Sequence, residues 1–340
     1  MKIGYWIAGG LFGGLAAFMI FTAGWERPPM ETEQTGYRGL GLEQVINPRT
    51  QAIVDARNQM PEVGYQPEPG GPLASEVYEN VQVLGDLGEE QFNSLMVNIT
   101  QWVSPDEGCA YCHNEENLAE DSVYTKVVAR RMLQMTASIN KNWQDHVSTT
   151  GVTCYTCHRG QPVPREVWYD NPGPVAAKGP MGYRAGQNIA ATQVGLTSLP
   201  FDPFSDYLSG VDPIRVISTH ALARGAGATI QQTEQTYALM MHMSDSLGVN
   251  CTFCHNSRSF FAWEQSAPQR TTAWHGIQMV RDVNGQYLVP LTPVFPPHRL
   301  GPLGDVAKVN CGTCHQGVSK PLLGAQMLKD YPELNAVKVE

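Results

Sequence analysis

Outside four short motifs this chain of 340 residues has no cysteine at all, so no thiol is left over for a separate disulfide framework. Charge is also sparse, at 16% of residues against about 25% in typical domains. Positive charge is the scarcer sign: 23 Lys and Arg face 32 Asp and Glu, a formal net charge of -9. Such a balance makes a poor nucleic-acid binder, although it can steer a basic soluble partner. With 33 Gly and 24 Pro, irregular backbone wrapped around a filler is expected in place of long regular elements. Long apolar runs are missing too, with one exception at the N-terminus.

What is present are four Cys-x-x-Cys-His pentapeptides: Cys109 to His113, Cys154 to His158, Cys251 to His255 and Cys311 to His315. Two thiols three residues apart can form thioethers to the two vinyl groups of one haem, and the adjacent imidazole then reaches the iron. A disulfide framework does not ask for a histidine after each second cysteine. A zinc knuckle needs a second Cys or His pair, and none remains. The motifs therefore imply four covalently held c-type haems, on Cys109, Cys112, Cys154, Cys157, Cys251, Cys254, Cys311 and Cys314, with His113, His158, His255 and His315 as proximal ligands.

The exceptional apolar run, Gly4 to Gly24, carries no charge. As a helix it spans about 31 Å, close to a bilayer core, so residues 1–25 are expected to be a retained transmembrane anchor with Tyr5 and Trp25 at the interfaces. Haem attachment occurs on the far side of the cytoplasmic membrane, which places the large domain in the periplasm. Residues 26–88 read as an extended arm leading into that domain. The pattern predicts a helix over Glu89 to Val103, with Phe92, Leu95, Met96, Ile99 and Val103 on one face. A second helix is expected from about Ser122 to Val147. Residues 161–230 read as a Pro- and Gly-rich connector with short strands, and 321–340 as a C-terminal tail.

Internal comparison makes residues 89–160 and 231–320 two dihaem halves on one plan. Leu95-Met96 matches Leu239-Met240, His113-Asn114 matches His255-Asn256, and Gly160 and Gly317 each follow their histidine by two. The expected fold is thus mainly α: a multihaem c-type cytochrome with irregular loops, two pseudo-symmetric dihaem halves and one N-terminal transmembrane helix. An iron that only shuttles electrons needs a second axial ligand, commonly Met sulfur or His nitrogen. The repeat picks Met96 and Met240. For the second site Met132 and Met135 compete. Aligning Ala129 with Ala273 and Asn140 with Asn284 sets Gly276 opposite Met132, so the fourth site must borrow a ligand. His146 is the candidate, in competition with His275, Met279, His220 and His298.

The chain resembles the tetrahaem cytochrome c subunits of purple-bacterial photosynthetic reaction centres. The likeness runs from about Gln34 to Leu334 and rests on Trp102-Val103-Ser104-Pro105, Val128-Ala129-Arg130-Arg131-Met132-Leu133, Gly151 to Gly160, and Ser244-Asp245-Ser246-Leu247-Gly248. The resemblance implies axial pairs Met96 with His113, Met132 with His158, Met240 with His255, and His146 with His315. It implies an electron carrier and no enzyme: electrons from a soluble periplasmic donor, a c-type cytochrome or high-potential iron-sulfur protein, re-reduce the photo-oxidised bacteriochlorophyll pair. Reaction-centre L, M and H subunits, a light-harvesting ring and the photosynthetic (chromatophore) membrane are the implied surroundings. It also suggests that Arg270 raises the third haem's potential or binds a propionate. Several members carry an N-terminal lipidated cysteine, whereas Trp25 stands here. A multihaem reductase with an open iron and a quinol-oxidising tetrahaem anchor protein are the rival readings.

Overall fold

Helices form where apolar residues recur on one face, and they are held together by segments that show no such recurrence. The computed structural model describes residues 2–22, 30–34, 42–171, 190–217 and 228–337. Helix α1 spans Lys2–Thr22, and its described side chains are exposed. Among the described residues no helix is long and apolar enough to cross a membrane. Trp25 lies outside the described residues.

The stretch expected to be an extended arm contains regular structure. Strands β1 (Glu31–Gln34) and β2 (Glu43–Ile46) pair antiparallel. Helix α2 (Pro48–Arg57) follows, with the Asn47 side chain accepting from the Arg49 N–H and Pro48 at the first position. That cap and proline are helix-start signals. The helix has no buried residue, so hydrophobic periodicity was blind to it.

Helix α3 (Glu89–Val103) has the expected bounds. Glu89 and Glu90 sit at its positive end, and Leu95 and Trp102 are buried while Val97 is exposed. Helix α4 (Tyr124–Asn142) stops short of Val147, because Trp143 leaves helical backbone angles before a separate turn at Gln144–Val147. Helices α5 (Ile230–Leu247) and α6 (Gln269–Asp282) are their counterparts in the second half.

Three apolar clusters hold these helices. The first joins Leu95, Trp102, Leu133 and Ala137 to Tyr331, Leu334 and Val337. The expected tail is therefore part of the first half's core: Tyr331 packs edge-on to Trp102 at 4.6 Å. Fully burying side chains of this size stabilises by about 1.5–3 kcal/mol each. The second cluster takes Trp168, Phe204, Tyr207 and Leu208 from the connector and packs them on Leu239, Ile277 and Val280. Connector strands were expected, yet its described residues contribute isolated bridges such as Trp168 to Lys308. The third cluster, with Ile139, Met279, Val283, Leu288 and Val306, lies between the halves.

Candidate haem-binding sites

Each Cys-x-x-Cys-His segment folds around one tight turn. The first and third turns are 3-10 in type, at Gly108–Tyr111 and Cys251–Phe253. The second and fourth are single α-turns, Cys154–His158 and Cys311–His315, and each ends on a left-handed residue, Arg159 or Gln316. Gly160 and Gly317 come next with φ of 76° and 89°, a conformation that favours glycine. The Gly160 N–H donates to the Trp102 carbonyl and the Gly317 N–H to the Ser246 carbonyl, both at 2.8 Å. Trp102 and Ser246 stand equally far beyond Met96 and Met240 on α3 and α5, so these bonds set the two methionines in equivalent register.

The second motif of each half is clasped in the same way. The Asn140 amide accepts from the Val152 N–H at 2.7 Å and donates to its carbonyl at 3.1 Å. Asn284 does the same to Val309 at 2.9 and 3.0 Å. Both asparagines are essentially fully buried, and each holds the backbone two residues before a motif. Arg159 bridges the halves by donating to the Asn58 side chain and the Cys314 carbonyl. At this junction the Cys157 and Cys314 sulfurs are 2.9 Å apart, which sets the second and fourth sites side by side.

All four motif histidines are oriented through Nδ1. Distances are 3.0 Å to the Leu118 carbonyl for His113, 2.9 Å to Gln161 for His158, 2.8 Å to Phe260 for His255 and 3.0 Å to Val318 for His315. A carbonyl can only accept, so Nδ1 carries the proton and Nε2 keeps its lone pair, the arrangement of a metal-bound imidazole. Burial strengthens the neutral form: it lowers the pKa of His158 and His255 and brings His315 down to about 4.

His146 shares this arrangement, with Nδ1 2.9 Å from the Thr272 carbonyl and its pKa lowered by burial. Its ring stands edge-on to that of His315, with 6.0 Å between centroids and 67° between the ring planes. Two metal–imidazole bonds of about 2 Å and two ring half-widths of roughly 1 Å add to about 6 Å, so the separation is one that two imidazoles sharing a metal would also have. Gly276 makes the approach possible, since a Cβ there would lie 2.5 Å from the His146 ring. The positions matching Met132 and His146 in the second half are Gly276 and Pro290, neither of which has a donor side chain.

Of the competing donors, His275 lies 4.0 Å from the Asp145 carboxylate, His298 is exposed, Met279 packs in the third cluster and also borders the cavity that Met132 lines, and His220 lies outside the described residues. His242, beside Met240, is engaged at both nitrogens, by the Gln193 carbonyl and the Ser246 hydroxyl.

One cavity of about 1320 Å³ is walled by Met96, Cys109, Cys112, His113, Met132, His146, Cys154, Cys157, His158, Cys311, Cys314 and His315. A cavity of this size has room for resident groups, and the thiol, imidazole and thioether donors on its wall suit haem. Met135 also lines this cavity, so the geometry leaves it beside Met132. Met240, Cys251, Cys254 and His255 stand outside these walls. Met240 packs with Met243 against the second apolar cluster, and Arg270 stacks on Trp263 at 4.2 Å while donating to the Ala262 carbonyl and the Ser266 hydroxyl.

The eight thiols are all free of disulfides. Among the described residues no three His, Cys, Asp or Glu groups converge on a metal-ion position. Burial pushes the Cys112 and Cys254 thiols up to about 11 and those of Cys154 and Cys311 up to about 12. Such surroundings suit neutral thioethers and disfavour reactive thiolates.

Comparison with known proteins agrees with this geometry. Residues 26–335 match the family described as photosynthetic reaction centre cytochrome C subunit. The chain is 54% identical to the photosynthetic reaction center cytochrome c subunit of Rubrivivax gelatinosus, over 92% of this chain and 85% of that one. The subunit of the same description from Thermochromatium tepidum is 52% identical, over 93% and 78%. A cytochrome c-554 of Chloroflexus aurantiacus is 29% identical over 72% of this chain.

Proposed function

The chain belongs to the family of photosynthetic reaction centre cytochrome c subunits, and from that premise we propose how its residues carry electrons. Four haems are attached through Cys109 and Cys112, Cys154 and Cys157, Cys251 and Cys254, and Cys311 and Cys314. Axial pairs are Met96 with His113, Met132 with His158, Met240 with His255, and His146 with His315. Haem iron supplies reversible one-electron transfer, and a methionine ligand raises its potential relative to a second histidine.

The polypeptide closes both faces of every iron, so an electron can pass while substrates are kept off. Carbonyl-bound Nδ1 groups fix each imidazole, and apolar walls exclude water. The observation that carries this reading is the approach of His146 to His315, 6.0 Å between centroids, over Gly276, with the Nδ1 of each ring held by a carbonyl. A soluble periplasmic carrier, a c-type cytochrome or high-potential iron-sulfur protein, delivers electrons, and the photo-oxidised bacteriochlorophyll pair held by L and M subunits, with H beside them, receives them. The uncharged run Gly4 to Gly24, which overlaps most of helix α1, anchors the chain as a single pass with the haem domain on the periplasmic side, where an antenna ring is a neighbour.

Purification from illuminated membranes tests the role. Co-elution with bacteriochlorophyll-containing subunits and flash-induced oxidation of its haems are expected; a free chain whose ferrous form binds carbon monoxide would point to a reductase and overturn the proposal.

A further inference from the structure

We propose that Lys126 tunes the first haem site through the carbonyl that orients His113. Lys126 is buried, at 8% exposure, and its ammonium donates to the carbonyls of Leu118, Ala119 and Glu120 at 2.8, 2.7 and 2.9 Å. The Leu118 carbonyl is also the acceptor for His113 Nδ1 at 3.0 Å. One oxygen thus joins a fixed cation to the proximal imidazole.

Two effects act with one sign. An Nδ1–H donated to a carbonyl makes the imidazole a stronger donor, which favours the oxidised iron. Lys126 draws density from that carbonyl and weakens the push, while its own charge disfavours further positive charge nearby. Both raise the potential. Charge balance supports a net cation: Lys126 and Arg130 share one carboxylate, that of Asp121, at 3.2 and 2.8 Å. The other sites lack the device. Among the described contacts, the carbonyls of Gln161, Phe260 and Val318 that hold His158, His255 and His315 receive no cationic side chain. Arg270, at the position matching Lys126, donates to the Ala262 carbonyl and leaves Phe260 alone.

This inference rests on haem being held at the first site by His113, so the test reads haem content separately from potential. Lys126→Met, Lys126→Arg and Asp121→Asn are made in the full chain, and each is titrated with redox mediators in the purified complex. Lys126→Met should move one of the four waves to lower potential, Lys126→Arg should hold it near the parent, and Asp121→Asn should move the same wave upward. Opposite signs mark an electrostatic relay. A lysine that only ties the loop together would leave the wave in place, or make the methionine and asparagine variants shift it alike, and either result overturns the proposal. If Lys126→Met does not accumulate, the direction of the Asp121→Asn shift decides, with no rise counting against the relay. A parent protein with no haem at Cys109 and Cys112 would instead remove the reading on which the inference stands.

Discussion

Gly276→Ala is the substitution whose effect follows most directly from the geometry. On α6 an alanine is ordinarily favourable, by about 0.5–1 kcal/mol over glycine. Here the new Cβ would lie 2.5 Å from Cε1, 2.8 Å from Nδ1 and 3.1 Å from Nε2 of His146. The imidazole has little room to yield, because its Nδ1 is tied to the Thr272 carbonyl on the same helix. Overpacking of this kind costs about 1–3 kcal/mol, so the net change runs from roughly zero to a loss of about 2.5 kcal/mol. With His146 displaced from His315, one haem of the four should lose low-spin bis-histidine character and become open to carbon monoxide when reduced. In a His146→Ala background the obstacle is gone, and the same glycine substitution should stabilise by about 0.5–1 kcal/mol. The assay is a double-mutant cycle on thermal unfolding, with carbon monoxide binding read in parallel. An unchanged spectrum in Gly276→Ala, or a substitution that acts alike in both backgrounds, would refute the reasoning.

Three further outcomes are expected. Met240→His should lower the third haem's potential and leave the others nearly in place, since Met240 shares the register of Met96 through the Gly317 bond to Ser246; an unchanged titration would move the role to Met243. Asn284→Ala should cost about 1–3 kcal/mol, because it strands the N–H of Val309 while the Val309 carbonyl keeps the Trp168 indole N–H, and chemical denaturation measures it; a loss under 0.5 kcal/mol would mean that water replaces the clasp. Arg130 holds the Asp121 carboxyl down to about 2, so the folded state binds this proton less readily than the unfolded chain. Its stabilisation is complete above the unfolded value of about 3.8 and is lost as pH falls from there towards 2; Asp121→Asn should flatten the acid limb in that window, and an unchanged limb would contradict the assignment.

The sequence made some of this legible and hid the rest for definable reasons. Helix α3 has a clear 3.6-residue stripe from Phe92 to Val103, and its bounds matched. The alignment of Asn140 with Asn284 began as a coincidence of letters and turned out to be a shared clasp on the strand-like approach to a motif. Helix α2 escaped because it buries nothing; Asn47-Pro48 was its available signal. Tyr331 and Leu334 looked like a tail because two or three apolar residues among prolines carry no period, although they close the first core. Lys126 is hidden for a related reason: a lysine on a helix reads as solvated until three carbonyls are seen around it.

Intact mass of the mature chain tests the central claim most directly. The account predicts the polypeptide plus four covalently attached haems, with peptide mapping placing one on each pair from Cys109 and Cys112 to Cys311 and Cys314. A chain carrying fewer than four, or thiols of any pair recovered free in the native protein, would contradict it.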